Sequence, residues 1–338
     1  MKAVSRNSGC RIHDNLKMND LDLVVLENEK LRVSVLAGRG ADIIECLYKP
    51  KDLDLVWLTR HGIPDGSPAY NYLDSLGAFV DYYPGGWQTV FPNGGPPVNY
   101  QGADFSQHAE VSLLPWRFEI IKDQVDEIAV KFYCRTRKTP FLVSRVMRLT
   151  RNSSKIEITE TIENLSDVEV PAMWGTHLSF GAPFLHPGVE IKVAGHPKVI
   201  CHPTGVGGDR RRVETVKDFQ WPMHDGIDFS VIPEKNSPSD MLYLTELENA
   251  EFEISSKLHG ISVKVDWNRD LMPYLWFWQE FGRTKTYPWY GENYNIGLEP
   301  FSSFPTNGLL EAIENKSALI FSAKETKVHK LNYEITEN

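Results

Sequence analysis

The chain has 338 residues, 41% apolar and 24% charged, a composition that supports a large buried core and excludes a disordered protein. Its net charge of −9 comes without a long block of Lys or Arg, which argues against nucleic acid or an anionic membrane surface as the main partner. The four cysteines are far apart, no CxxC pair occurs, no apolar stretch is long enough for a membrane span, and the first residues lack a secretion signal's apolar core. A reduced, cytoplasmic protein is the expectation.

Apolar alternation at period two recurs along the chain, and helical periodicity is almost absent. Strands are expected over residues 31–36, 43–48, 127–134, 154–163, 251–256, 261–266, 274–280, 319–323 and 326–333. In the fourth of these, Ile156, Ile158 and Ile162 share one face, while Glu157, Thr159, Thr161 and Glu163 share the other. Glu160 is the exception, a carboxylate at the apolar parity. Asn164-Leu165-Ser166-Asp167 is turn chemistry, and residues 168–174 are expected to return as its partner strand. Residues 60–102 and 195–238 are irregular, rich in Gly, Pro and polar residues, and are expected to form the rims of a cleft. With shorter candidates the strands number a dozen or more. The fold class expected is all-β, a large antiparallel two-sheet β-sandwich, with one domain over residues 1–338.

Three segments place titratable groups at strand ends, where a sheet presents side chains to a cleft. They are Asp104-Phe105-Ser106-Gln107-His108-Ala109-Glu110-Val111, Met173-Trp174-Gly175-Thr176-His177-Leu178-Ser179-Phe180-Gly181, and Asn295-Ile296-Gly297-Leu298-Glu299-Pro300. A fourth segment, residues 274–280, is aromatic. Alternation puts Tyr274, Trp276, Trp278 and Glu280 on one face and Leu275, Phe277 and Gln279 on the other. Leu275 and Phe277 are the better pair for the core, which leaves Trp278 and Glu280 as candidate substrate-binding residues on the opposite face.

The order and flanking residues of these segments resemble a divergent branch of the galactose mutarotase (aldose 1-epimerase) superfamily over nearly the whole chain. That superfamily has a supersandwich fold, a hairpin shaped like residues 154–180 that leads into a Thr-His element, and a strand ending in Glu-Pro. The resemblance implies that His177 is the general acid on the ring oxygen of an aldose and Glu299 the general base. It further implies that His108 contacts the ring oxygen and that Asp240 binds a sugar hydroxyl. The chain departs from the family pattern in two places. His108-Ala109-Glu110 stands where His-Gly-Gly is usual, and residues 83–95 lack the usual loop arginine. Arg39 is the candidate to supply that guanidinium, and a turn-capping role is its alternative.

Opening a cyclic hemiacetal requires a base at the anomeric hydroxyl and an acid at the ring oxygen, here expected on opposite sides of the ring. The expected partner is a small-molecule monosaccharide, with no metal or other cofactor. Three alternatives stand beside this reading. A glycoside hydrolase would need two carboxylates, for which Glu110, Glu280 and Asp266 are available. A non-catalytic carbohydrate-binding protein would need neither His177 nor Glu299. A hexose-6-phosphate 1-epimerase would need basic residues around the phosphate, and Arg210, Arg211 and Arg212 form the only basic run.

Overall fold

A computed structural model describes residues 3–66 and 78–338, so residues 67–77 of the irregular segment 60–102 lie outside the described residues. Two large antiparallel sheets hold most of the strands. The first has 12 strands, running in space from Arg11–Met18 through Leu21–Glu27, Leu31–Leu36 and Asp42–Tyr48 to Trp87–Val90. It continues through Gly175–Gly181, Asn295–Phe301, Tyr274–Glu280, Asp240–Thr245 and Lys198–Cys201 to Phe219–Gln220, and the twelfth strand, Leu53–Asp54, pairs with Asp42–Tyr48 off this path. The second has 8 strands, from Glu190–Val193 at one edge through Thr326–Glu337, Lys155–Asn164 and Phe141–Thr150 to Arg117–Asp123 at the other. Among the described residues no helix is long and apolar enough to cross a membrane.

The main hydrophobic cluster lies between the sheets, and the sequence alternation explains why. Ile156, Ile158 and Ile162 reach it from the second sheet, and Leu178, Phe180, Ile296, Leu298, Leu275 and Phe277 reach it from the first. Each of these strands therefore spends every second residue on the sandwich interior and turns the intervening ones to the other face of its sheet. All four cysteines are buried and free.

Glu160 points into this interior with its own set of partners. It accepts hydrogen bonds from the Trp174 indole N–H at 3.0 Å and from the Thr89 hydroxyl, and it lies 3.7 Å from Arg145 Nε. Arg145 sits opposite it on one neighbouring strand and His329 on the other. A polar row thus crosses the second sheet at its centre and ties it to the first. The expectation that residues 168–174 pair back with 154–163 is corrected by the structure. Lys155–Asn164 has Phe141–Thr150 and Thr326–Glu337 as neighbours, leaving no free edge. Val170–Ala172 pairs with Leu319–Phe321 instead, and the Asn164 amide, donating to Val168 O and Ser322 O, fixes that exit.

His329 is fully buried, and neither ring nitrogen has a hydrogen-bond partner among the described residues. Burial lowers its pKa to about 4. The unfolded chain takes up this proton below about pH 6.5 and the folded chain only below about 4, so stability is lost as pH falls through that window. His329→Leu should raise stability by roughly 1 kcal/mol at neutral pH, since it removes an unsatisfied buried polar group. The gain should widen at pH 5. Denaturant unfolding at the two pH values checks this, and an equal difference at both would contradict the linkage.

Candidate active site

The outer face of the first sheet carries a cleft of about 300 Å³. Its floor is made by adjacent strands. His177 projects from Gly175–Gly181, Glu299 from Asn295–Phe301, and Trp276 and Trp278 from Tyr274–Glu280. The register decides who meets whom. Gly175 is opposite Phe301 and Ser179 opposite Gly297, which sets His177 opposite Glu299, and Glu299 is in turn opposite Trp276. His177 Nε2 lies 3.5 Å from Glu299 Oε1, and both side chains are about 95% or more buried, at 5% and 3% exposure. Gly297 makes room for this arrangement, because a Cβ there would stand 2.3 Å from Glu299 Oε1.

Burial sets the protonation of the pair. It pulls His177 down to about 4 and pushes Glu299 well above the usual carboxylate range. Burial therefore favours the uncharged forms, a neutral imidazole beside a protonated carboxyl. His108 lines the same cleft, with its ring 5.8 Å from that of His177 and edge-on to Phe79 at 4.7 Å. It lies in a turn with φ of 49°, and its Nδ1 accepts from the backbone N–H of Gly95 at 3.0 Å. Burial, and to a lesser extent the neighbouring His177, lower it to about 3. It is an uncharged hydrogen-bonding group at physiological pH.

The two irregular segments do supply walls. Phe79, Val80 and Tyr83 come from the first and Val206 from the second, and Tyr287, Pro288 and Trp289 close a third side. The Tyr287 hydroxyl donates to Asp81 at 2.7 Å, which ties that loop to the helix Ala78–Asp81. Trp278 faces Trp289 at 5.7 Å and Trp57 at 5.9 Å. Tyr83, Trp276, Trp289 and Thr306 are cleft residues that sequence reasoning did not single out. Trp276 was within reach of it, since it shares the parity of Trp278. Trp289 and Thr306 carry no local signal.

Three expected substrate-binding residues are placed elsewhere. Asp240 is fully buried beside the cleft, where it accepts from Arg211 Nη2 at 2.6 Å and from the Val213 N–H at 2.8 Å. Glu280 shares the parity of Trp278 but turns onto its own loop, accepting from the Thr284 hydroxyl and the Gly282 N–H. Arg39 is buried at the turn after Leu31–Leu36, where its charge acts on Asp42, and it does not line the cleft. The other open candidates are likewise engaged. Glu110 accepts from the backbone N–H of Arg137 at 2.7 Å and from the Thr139 hydroxyl, and Asp266 accepts from Asn332 on the second sheet. Arg212 is buried over Phe229 and donates to Gln279, while Arg210 is exposed. None of the three arginines lines the cleft.

Residues 19–335 match a sequence family described as "Domain of unknown function (DUF4432)". The chain belongs to this family. No protein with a curated description matches it. Solved structures similar to it include a Klebsiella pneumoniae protein with a provisional aldose 1-epimerase name, at 14% identity and a TM-score of 0.74, over 97% of this chain and 83% of that one. A galactose mutarotase-like protein from Clostridium acetobutylicum aligns at 13% identity and 0.64, over 98% and 99% of the two chains. Another, from Lactobacillus casei, aligns at 16% and 0.61, over 93% and 100%. At these identities the likeness establishes the fold, which is galactose mutarotase-like.

Proposed function

We propose that this member of the family interconverts the α and β anomers of an aldose by acid–base ring opening. The observation that carries the reading is the contact between His177 and Glu299 on the floor of an aromatic cleft. Ring opening takes one proton from the anomeric hydroxyl and delivers one to the ring oxygen, after which rotation about C1–C2 and reclosure invert the anomeric centre. The two oxygens share the anomeric carbon. A pair 3.5 Å apart therefore serves both from one side of the ring, where the sequence had suggested opposite sides.

The proton inventory suits the reaction. The pair carries one transferable proton, and either placement provides an acid and a base. Carboxyl with imidazole is the form burial favours, and carboxylate with imidazolium is the form the family resemblance implies. His108, neutral and accepting at Nδ1, carries its proton on Nε2 and can donate it toward the ring, and the indoles of Trp278 and Trp289 suit the ring's apolar C–H faces. Among the described residues Glu299 is the only carboxylate lining the cleft, so two-carboxylate glycoside hydrolysis is the poorer fit. The placement of the three arginines likewise disfavours a phosphorylated sugar.

A panel of freshly dissolved aldoses, followed by polarimetry and NMR exchange spectroscopy, tests the activity. Acceleration of anomer exchange by at least one of them is expected. The same sugar should quench tryptophan fluorescence, and Trp278→Leu should abolish most of that signal. Quenching without exchange across the panel would leave a carbohydrate-binding protein, and quenching that survives in Trp278→Leu would place the sugar elsewhere.

A further inference from the structure

Tyr83 touches His177 on the side away from Glu299. Its hydroxyl lies 3.3 Å from His177 Nδ1, whereas the opposite nitrogen, Nε2, faces Glu299. The tyrosine is built in firmly. It is 2% exposed, stacks on Phe79 at 4.8 Å with planes 24° apart, and meets Trp57 edge-on at 5.8 Å. The Thr59 hydroxyl anchors its backbone carbonyl at 2.7 Å. Burial holds the phenol well above its ordinary pKa of 10, so it keeps its proton at any physiological pH. Ser179, two residues beyond His177 on the same face of its strand, interacts with the same hydroxyl while donating its own proton to Gly86 O.

We propose that Tyr83 is a positioning residue for the reaction, one whose hydroxyl occupies His177 Nδ1 and confines proton exchange with the bound ring to Nε2. This rests on the reading of His177 as a proton-transfer group. A neutral imidazole has two tautomers, and the hydrogen bond at one nitrogen decides what the other presents. In this cleft only Nε2 adjoins Glu299, so every molecule in the wrong tautomer or ring orientation is withdrawn from the acid–base couple. Packing fixes the plane of the imidazole, with His108 and Trp278 each 5.8 Å away by ring centroids. Packing alone does not distinguish the two nitrogens. The Tyr83 hydroxyl does, because it meets one of them and is held in place by Phe79, Trp57 and Thr59.

The test is Tyr83→Phe, which keeps the ring on Phe79 and removes only the hydroxyl. Protein labelled with ¹⁵N-histidine is examined at neutral pH, with the His177 signals assigned by their disappearance in His177→Gln. Wild type is expected to show one tautomer at His177, and Tyr83→Phe a shift toward the average of two. In the same variant kcat for anomer exchange is expected to fall roughly 10- to 100-fold, the scale of a lost orienting partner, with KM within about twofold. An unchanged unfolding midpoint and unchanged His108 signals identify the effect as local. An unaltered His177 pattern overturns the proposal. A changed pattern with unchanged kcat removes the positioning role. If neither protein exchanges anomers of any sugar, the reaction class is wrong, and the ¹⁵N pattern still decides whether Tyr83 sets the tautomer.

Discussion

Glu299→Gln should lose anomer exchange by roughly 10²–10⁴-fold, the range for a group that moves a proton in the rate-limiting step. The carboxamide has nearly the same shape, so it fits over Gly297 where a Cβ would not, and it still meets His177. It cannot take up or release the transferable proton. The same change should leave the protein more stable at pH 8. Burial raises the Glu299 pKa, so the folded carboxyl holds a proton that the unfolded chain has released above about pH 4.5. That difference opposes folding progressively as pH rises from about 4.5 towards the folded pKa, and it is absent below 4.5. Polarimetry together with thermal unfolding at pH 4 and pH 8 reads both effects. Full activity in the variant would remove Glu299 from the mechanism, and an equal change in stability at both pH values would contradict the raised pKa. A catalytic group kept at a cost in stability is a common property of enzyme sites.

Glu160→Ala should cost about 3–5 kcal/mol, the range for breaking a buried ion pair by removing one partner. Arg145, 1% exposed and turned inward from the neighbouring strand, would be left as a buried charge without its carboxylate. The Trp174 indole and the Thr89 hydroxyl would lose their acceptor at the same time. The double replacement Arg145→Met with Glu160→Leu should recover much of the loss, because removing both charges avoids leaving either one unpaired in the interior. Urea unfolding of the three variants measures this directly. A loss below about 1 kcal/mol in Glu160→Ala would mean that the Arg145 charge finds another partner. The effect should also reach the cleft, since Thr89 is opposite Thr176 and Trp174 immediately precedes the strand that carries His177.

How much of this was legible in advance follows from the range over which each signal acts. Strand alternation is local, so residues 31–36, 251–256 and 274–280 appear in the structure with the bounds the sequence suggests. Alternation also assigned Leu275 and Phe277 to the core and Trp276 and Trp278 to the cleft face, which is where they lie. His177, Glu299 and His108 line one cleft, the placement that the family resemblance implied. Tertiary structure alone decided which polar groups remain available to a ligand, because their partners come from distant segments. Asp240 is taken by Arg211 29 residues away, and Glu110 by the Arg137 amide 27 residues away. Tyr83 reaches His177 across 94 residues, and no local pattern announces that contact. Glu160 violates its strand's period because its partners, Arg145, Trp174 and Thr89, stand on three other segments, and a periodicity cannot contain them.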